Sequence, residues 1–325
     1  MTPPRLGPGR EFDRVRRIAA ALGPRATRLD DDCAVLAPSD KCLVASTDVS
    51  VEGVHFRRDW LSLEEIGWRA AAAALSDLAA DGAEAAGLMV ALTVPAEAED
   101  ADVASLMTGA GAAAGEAGAA VIGGDLSSGP SWSIAVTVLG WAAQPVTRAG
   151  ARPRDGIWVT GSLGAARAAL EAWRRGVPPD PAARQAFAHP VPRLAAGRWL
   201  AGHGARAMID LSDGLGADAA HLAAASGVAI ALELDRVPVA PPALSEARRL
   251  GLPAQRFAAE SGEEYELLVA LPEGFGQDDA LALRDAVGLT LTRVGRVALG
   301  AGMQAELAGA AVTLVGYDHF ARSPS

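Results

Sequence analysis

The stretch from residue 42 to residue 83 reads CLVASTDVSVEGVHFRRDWLSLEEIGWRAAAAALSDLAADGA and predicts the kind of fold that the whole chain adopts. Its first part is an apolar run, typical of a strand, that ends in the polar triplet 46–48. Its last part predicts a helix from 63 to about 80, because Ser62 and Glu65 have the spacing of a capping box. A strand followed by a capped helix indicates a mixed α and β protein.

The same mixture continues along the chain. Further strands are predicted at 33–36, 88–94, 120–122, 132–141, 157–160, 207–209, 228–234 and 265–271. Helices are expected at about 100–117, from 165 to about 175, from about 193, and at 215–225. The loop from 142 to 156 is rich in Arg, Pro and Gly and indicates a domain boundary. We therefore expect a two-domain α+β fold with domains at 1–145 and 146–325.

Composition and charge restrict the function. Half of the 325 residues are hydrophobic, which is enough for a sizeable core in each domain. The net charge of −10 argues against nucleic acid or an anionic membrane as a partner. No apolar run reaches the roughly 20 residues that a bilayer requires, and the first residues have no apolar signal core. The expected location is the cytoplasm.

The two cysteines, Cys33 and Cys42, flank a Pro-Ser-Asp turn. We interpret them as reduced packing residues, because a disulfide is uncommon in the cytosol and no pair of histidines lies near them for a zinc site.

Aspartates recur beside apolar runs in the first two thirds of the chain. The clusters are Asp30-Asp31-Asp32, Ser46-Thr47-Asp48, Ser76-Asp77, Gly123-Gly124-Asp125 and Asp210-Leu211-Ser212-Asp213. Each cluster alone is also explained by turns and helix caps, where Asp is common. Asp77 fits that explanation least, because it lies inside a predicted helix. Together the clusters predict one site for hard cations such as Mg²⁺ or Ca²⁺, which bind oxygen ligands, and such a site would handle phosphates.

The chain has other means of meeting phosphate charge, although a Walker A loop is absent and Lys41 is the only lysine. The turn after the strand ending near Asp210 precedes a helix, so its amides are placed to bind phosphate, or Ser212 or Asp213 simply caps the helix. Arg148 and Arg152 lie in the boundary loop and are either surface charge or phosphate ligands. Glycines 109 and 111 have the wrong spacing for a dinucleotide loop and lie in a predicted helix.

Several motifs together resemble one family. They are REFD (10–13), DDCAVL (31–36), STDVSVEGVHF (46–56), LSDLAADGA (75–83), IGGD (122–125), TRAGARPRD (147–155), IDLSDGL (209–215), SGEEYEL (261–267) and GYDHF (316–320). In these motifs the chain resembles the bacterial thiamine-monophosphate kinases, whose superfamily includes aminoimidazole ribonucleotide synthetase and selenophosphate synthetase.

The resemblance implies transfer of the γ-phosphoryl group of ATP to thiamine monophosphate. It also implies a homodimer in which the N-terminal sheets pair into a barrel. Mg²⁺ ligands are implied at Asp32, Ser46, Thr47, Asp48, Asp77, Asp125, Asp210 and Asp213. ATP contacts are implied at Gly124, Arg148 and Ser212, and contacts to the thiamine moiety at His55, Glu263 and Tyr317. Asp48 and Asp125 are the expected catalytic residues, holding metal at the reacting phosphates.

The chain departs from the family pattern at two positions. Asp30 stands where the family usually has Gly, and Ala117 stands near the position of a frequent tyrosine, so an aromatic contact to ATP is missing there.

The expected mechanism is direct in-line transfer with several Mg²⁺ ions and without a phospho-enzyme. The acceptor phosphate is largely dianionic at pH 7 and needs no general base. Three alternatives remain open: another ATP-using synthetase of the same superfamily, a Mg²⁺-dependent phosphohydrolase, and a silent binding module.

Overall fold

The computed structural model describes residues 10–25 and 39–317, and the chain divides into two compact units. The first comprises Met1–Leu78, Ala83–Gln144 and Ala188–Leu194. The second comprises Ala79–Gly82, Pro145–Phe187 and Ala195–Ser325. Neither unit is one continuous stretch, because the chain returns briefly to the first unit at 188–194.

The described part of the first unit holds a four-stranded sheet in the order β1-β4-β2-β3. Its strands are β1 (Cys42–Val51), β2 (Glu84–Pro95), β3 (Val121–Gly129) and β4 (Ser133–Ala142). Strand β4 pairs antiparallel with β1 and β2, and β3 runs parallel to β2. In consequence β1 and β3 form the two edges of this sheet.

One face of this sheet packs into the core of the first unit. Along β4 the residues alternate between buried and half-buried, and Ile134, Val136 and Val138 are buried. The helices of this unit are α1 (Arg10–Leu22), α2 (Leu63–Ala80) and α3 (Asp100–Glu116). The alternation predicted for β4 is confirmed.

Helix α2 begins as predicted, because Ser62 and Glu65 exchange hydrogen bonds of 2.9 and 3.2 Å between side chain and backbone. Glycines allow α2 to approach α3 closely: a Cβ atom at Gly109 would lie 1.8 Å from the carbonyl oxygen of Glu64. Gly109 is therefore a packing residue inside α3, which agrees with the exclusion of a dinucleotide loop.

The second unit holds a seven-stranded sheet in the residues described, in the order β11-β10-β7-β9-β5-β8-β6. Its strands are β5 (Gly156–Thr160), β6 (Ala207–Asp210), β7 (Ala229–Glu233), β8 (Leu267–Leu271), β9 (Leu291–Ala298), β10 (Gly302–Leu307) and β11 (Ala310–Val312). Strands β5, β6 and β8 are buried throughout, as expected for a sheet covered on both faces.

The helices of the second unit are α4 (Ala165–Arg174), α5 (Pro181–Ala188), α6 (Leu194–Gly202), α7 (Leu215–Ser226), α8 (Pro241–Leu250), α9 (Ala254–Ala259) and α10 (Gln277–Val287). Two short 3₁₀ turns are also described, at Gly23–Arg25 in the first unit and at Leu234–Arg236 in the second. Helix α5 begins at Pro181. This proline occupies the first helical position, where its fixed φ angle favours a helix.

The remaining predictions concern the two cysteines and membrane-spanning helices. Cys42 is a free cysteine but is exposed, so its expected role in packing is wrong. Cys33 and the strand predicted at 33–36 lie outside the described residues. Among the helices described, none combines the length and the apolar character needed to cross a membrane.

Candidate functional site

In the first unit, β1 and α2 bring three predicted ligands together. The triplet 46–48 lies inside β1 rather than at its end, so alternate side chains point to opposite faces. Asp48 pairs in register with buried Val136 and therefore faces the core side of the sheet. On the same side the hydroxyl of Ser46 donates a short hydrogen bond to Oδ2 of Asp77.

The electrostatics of this group suit a cation. Burial, together with the smaller effect of the nearby charge of Asp77, raises the pKa of Asp48 to about 6. A bound cation would remove both penalties, because it neutralises the carboxylates where they lie. The donors are all oxygen atoms, which suits Mg²⁺ or Ca²⁺.

Thr47 does not join this group through its side chain. Its hydroxyl lies on the other face of β1, where it is 2.8 Å from the hydroxyl of Thr137 on β4.

Asp125 does not join it either. It is exposed and lies within β3, which continues through the Gly-Gly-Asp motif instead of ending before it. Since β1 and β3 are opposite edges of a sheet with strands about 4.8 Å apart, Asp48 and Asp125 are separated by about 14 Å across the sheet. The sheet of a single chain therefore holds the two expected catalytic residues apart.

Gly124 has a structural reason to be glycine. A Cβ atom there would lie 2.0 Å from the carbonyl oxygen of Val90 on the neighbouring strand. The close approach of β2 and β3 therefore requires glycine at this position, whatever Gly124 contacts in addition.

His55 lies in the turn that follows β1. Its Nδ1 accepts a hydrogen bond of 3.1 Å from the backbone amide of Val51, so the neutral ring carries its proton on Nε2. The same loop lines an open pocket of about 350 Å³, formed by Glu52, Gly53, Arg57, Arg58 and Asp59. His55 therefore lies in a loop that forms a concave surface lined by both acidic and basic side chains.

In the second unit, Asp210 ends β6 and the turn 211–214 leads into α7. Asp210 is buried, with 5% of its surface exposed. Gly214, with φ of 109°, is the residue before the first turn of α7. The expectation that Ser212 or Asp213 caps this helix is therefore wrong.

The carboxyl group of Asp218 binds the backbone amides that were expected to bind phosphate. Its Oδ2 accepts hydrogen bonds from the amides of Asp213 and Gly214, at 3.2 and 3.1 Å. Burial and, to a smaller extent, the charges of Asp210 and Asp213 raise the pKa of Asp218 to about 8. These two amides are consequently occupied by the protein's own carboxyl group.

Glu263 is held against this turn. The backbone of Glu263 is left-handed, with φ of 59°, and its amide donates a 2.7 Å hydrogen bond to the carbonyl oxygen of Ser212. The amides of Glu264 and Tyr265 donate to the carbonyl oxygen of Leu211, at 3.1 and 2.9 Å. Glu263 therefore belongs to a tight turn that precedes β8, and that strand begins at Leu267 rather than at the predicted residue 265.

The segment 313–317 brings Tyr317 to the same turn. The amide of Tyr317 donates a 3.0 Å hydrogen bond to the carbonyl oxygen of Asp213. The residue Tyr317 is 54% exposed. Upstream, the segment lies close to α7, because a Cβ atom at Gly216 would meet the side chain of Leu314 at 2.7 Å. Three motifs that are far apart in sequence, IDLSDGL, SGEEYEL and the first residues of GYDHF, thus meet through backbone hydrogen bonds.

Arg148 is exposed in the loop that runs beside β6. The neighbouring Thr147 accepts a 3.0 Å hydrogen bond from the amide of Met208, and the carbonyl oxygen of Arg148 accepts one of 3.1 Å from the hydroxyl of Ser226. The backbone of Arg148 is therefore anchored while its side chain reaches solvent.

Within the described ranges, no three His, Cys, Asp or Glu side chains gather closely enough to enclose a metal ion. Asp32, a further predicted ligand, lies outside those ranges, as do Asp30 and Asp31. The fit to Mg²⁺ therefore rests on the oxygen donors around Asp48 and Asp77, and on Asp210 and Asp213.

Sequence reasoning missed Asp218 and Glu264. Asp218 has a signal, an aspartate in the apolar helix sequence LGADAAHL directly after the Asp-rich turn. Glu264 has a weaker signal, because only the fold shows which glutamate of the pair 263–264 turns inward.

This chain is similar to known proteins over both units. The models of the AIR synthase related proteins match residues 30–142 with their N-terminal domain and 152–307 with their C-terminal domain. The thiamine-monophosphate kinase of Halobacterium salinarum is 36% identical over 289 residues, which cover 88% of this chain and 93% of that protein.

Solved structures give the same result. That of thiamine-monophosphate kinase from Stenotrophomonas maltophilia has a TM-score of 0.79 at 34% identity and covers 91% of this chain and 95% of that one. AaThiL complexed with AMPPCP and TMP also has a TM-score of 0.79, at 31% identity, covering 88% of this chain and 89% of that one. Because the likeness spans both units and these relatives exceed 30% identity, the chain belongs to the thiamine-monophosphate kinase family of AIR synthase related proteins.

Proposed function

We propose that this chain transfers the γ-phosphoryl group of ATP to thiamine monophosphate, with ADP and thiamine diphosphate as products. The observation that carries the proposal is the meeting of Asp210–Asp213, Glu263 and Tyr317 in the second unit, which joins predicted metal, ATP and thiamine contacts at one turn. A solved relative, AaThiL, binds AMPPCP and TMP together, which supports the same pair of substrates here.

Each unit contributes charged groups suited to this reaction. In the first unit Ser46, Asp48 and Asp77 present oxygen donors on the core side of β1. Asp125 adds an exposed carboxylate on β3, and Asp210 and Asp213 add two in the second unit. Together with Thr47 and Asp32, these residues would hold the cations. Mg²⁺, when bound, neutralises the phosphates and aligns them for in-line displacement.

The protein's remaining task is orientation. Tyr317 offers an exposed aromatic ring for the charged thiazolium or the pyrimidine, and its backbone is held by Asp213. Glu263 offers a carboxylate in a turn of defined shape, and Arg148, Ser212 and Gly124 are proposed to contact ATP. No side chain is required as a general base, since the acceptor phosphate is already largely ionised at pH 7.

We further propose that the active form is a homodimer in which two copies of the first sheet pair into a barrel. Edges β1 and β3 are each paired on one side only within the described residues, and open edges favour strand addition. The exposed face of β1 carries Leu43 and Val49, which are 52% and 49% exposed, and Leu43 pairs with half-buried Trp141. Pairing β1 of one copy with β3 of another would satisfy both edges and cover this apolar face.

The test is a product analysis. Purified protein is incubated with ATP, Mg²⁺ and thiamine monophosphate, and the products are separated by chromatography. Thiamine diphosphate and ADP in equal amounts are expected. ADP and free phosphate formed without thiamine monophosphate would instead identify a phosphohydrolase, and no turnover would indicate another acceptor, as in a different synthetase of the superfamily, or a binding module.

A further inference from the structure

Glu264 occupies the N-terminus of α4. Its Oε1 atom accepts hydrogen bonds from the backbone amides of Gly164 and Ala166, at 2.9 and 3.2 Å. The first amides of a helix attract anions, because they lack partners in the preceding turn and carry the positive end of the helix dipole. The glycine turn before α4 is thus filled by a carboxyl group of the chain itself and is not available to a phosphate.

The same oxygen also holds its own loop. Oε1 of Glu264 accepts a third hydrogen bond, from the hydroxyl of Ser261. One oxygen atom therefore ties the loop 261–266 to α4 and also closes the loop on itself.

This loop has a backbone that needs such support. Glu263 and Tyr265 are both left-handed, with φ of 59° and 53°, a conformation that is unfavourable for residues other than glycine. Tyr265 is buried, whereas Glu263 is partly exposed. Between them, the side chain of Glu264 points to α4 while the three amides of 263–265 point to the carbonyl oxygens of Leu211 and Ser212.

We propose that Glu264 is a positioning residue that holds Glu263 in its left-handed turn against Ser212, and thereby determines the affinity for thiamine monophosphate. This inference rests on the proposed function, which assigns Glu263 to the thiamine moiety. Glu264 acts through hydrogen bonds to Oε1, and it does not touch the substrate.

The variants Glu264→Gln and Glu264→Ala separate this role from general stability. Glutamine keeps an oxygen that can accept all three hydrogen bonds, whereas alanine removes it. In Glu264→Ala we expect the KM for thiamine monophosphate to rise about 10-fold, with the KM for ATP and kcat within about 3-fold of the wild type. Glu264→Gln restores the wild-type KM. The amides of 263–265 exchange with deuterium at least about 10-fold faster in Glu264→Ala than in the wild type.

Glu260 supplies a matched control. It is a nearby carboxylate with 8% of its side chain exposed, and it pairs with Arg167 and Arg256 at 3.3 and 3.0 Å. Glu260→Gln should leave both KM values and the exchange of 263–265 unchanged, even where it lowers the melting temperature.

Two results would overturn the proposal: a folded Glu264→Ala with wild-type KM and wild-type exchange, or a Glu264→Gln as impaired as Glu264→Ala. If Glu264→Ala does not fold, Ser261→Ala removes one of the three hydrogen bonds, and unchanged exchange at 263–265 in that variant overturns the proposal. Failure of the proposed function is recognised separately, because the wild type would then form no thiamine diphosphate, while the amide exchange still tests the positioning.

Discussion

At the scale of single residues, the carboxylates differ in environment although they look alike in sequence. Asp48 lies on the core side of β1, near Asp77 of α2. Burial, together with the charge of Asp77, raises the pKa of Asp48 to about 6. Asp125 is exposed on the opposite edge strand. A cation bound at Asp48 would therefore offset the cost of burying a charged carboxylate. A cation bound at Asp125 would instead bind a carboxylate that water already solvates.

Replacing Asp48 or Asp125 by Asn tests their proposed catalytic role. We expect kcat for thiamine diphosphate formation to fall about 100-fold or more in each variant, because the carboxylate that would hold a cation at the transferring phosphoryl group is lost. Circular dichroism should show an intact fold. Asp285→Asn, with a side chain 74% exposed on α10, is the control and should retain full activity. Near wild-type turnover in both variants contradicts the assignment.

Tyr317 is tested by replacement with Ala. Its ring is exposed and its amide is held by Asp213, so removing the ring leaves the backbone contact in place. Losing an aromatic contact of about 1–1.5 kcal/mol should raise the KM for thiamine monophosphate about 10-fold and leave that for ATP nearly unchanged. Steady-state kinetics with each substrate varied in turn measure this. An equal rise in both KM values argues against a thiamine contact.

At the scale of elements, helix N-termini are filled by the protein's own carboxyl groups. The amides before α7 donate to Asp218, and those at the start of α4 donate to Glu264. Each carboxyl is buried in the second unit, and its pKa is raised although hydrogen bonds oppose the rise. These helices therefore organise the turns around them without using those amides to bind a phosphate.

This arrangement predicts a pH dependence of stability that Glu264→Gln removes. Burial raises the pKa of Glu264 from 4.5 to about 7, so the folded protein favours the protonated form. The free energy of unfolding is therefore highest below pH 4.5, where this carboxyl group is protonated in both the folded and the unfolded state. It falls by on the order of 2–3 kcal/mol as the pH rises towards 7. Urea unfolding between pH 4.5 and 8 should show the wild type losing stability relative to Glu264→Gln. A constant difference between the two proteins would show that the carboxyl titrates normally.

At the scale of the whole molecule, the sheet of the first unit has two open edges in the described residues. Strands β1 and β3 are edges in the described residues, and β1 exposes Leu43 and Val49. Long exposed edges with apolar side chains favour association. The proposed homodimer accounts for both features.

Introducing a charge at Val49 tests the dimer. Val49→Glu should raise the dimer dissociation constant more than about 100-fold, because an unpaired carboxylate would be buried in the interface. Sedimentation equilibrium of wild type and variant measures this, and Leu299→Glu, at a position 86% exposed in the second unit, is the control that should remain dimeric. A monomeric wild type would refute the homodimer.

The sequence by itself was sufficient for the family, the α+β class and the elements with strong local signals. The capping box before α2 and the alternation along β4 are local patterns, so they were readable without the fold. It also singled out IDLSDGL, SGEEYEL and GYDHF, whose backbones are joined by hydrogen bonds in the second unit.

Only the tertiary structure decided which of these residues meet. The placement of Asp125 across the sheet from Asp48 follows from strand order, and strand order depends on long-range pairing that no local pattern encodes. The inward turn of Glu264 and the capture of two amides by Asp218 depend on hydrogen bonds formed only when distant segments pack. Local propensity acts over a few residues, whereas the partners of these carboxyl groups are chosen by the chain as a whole.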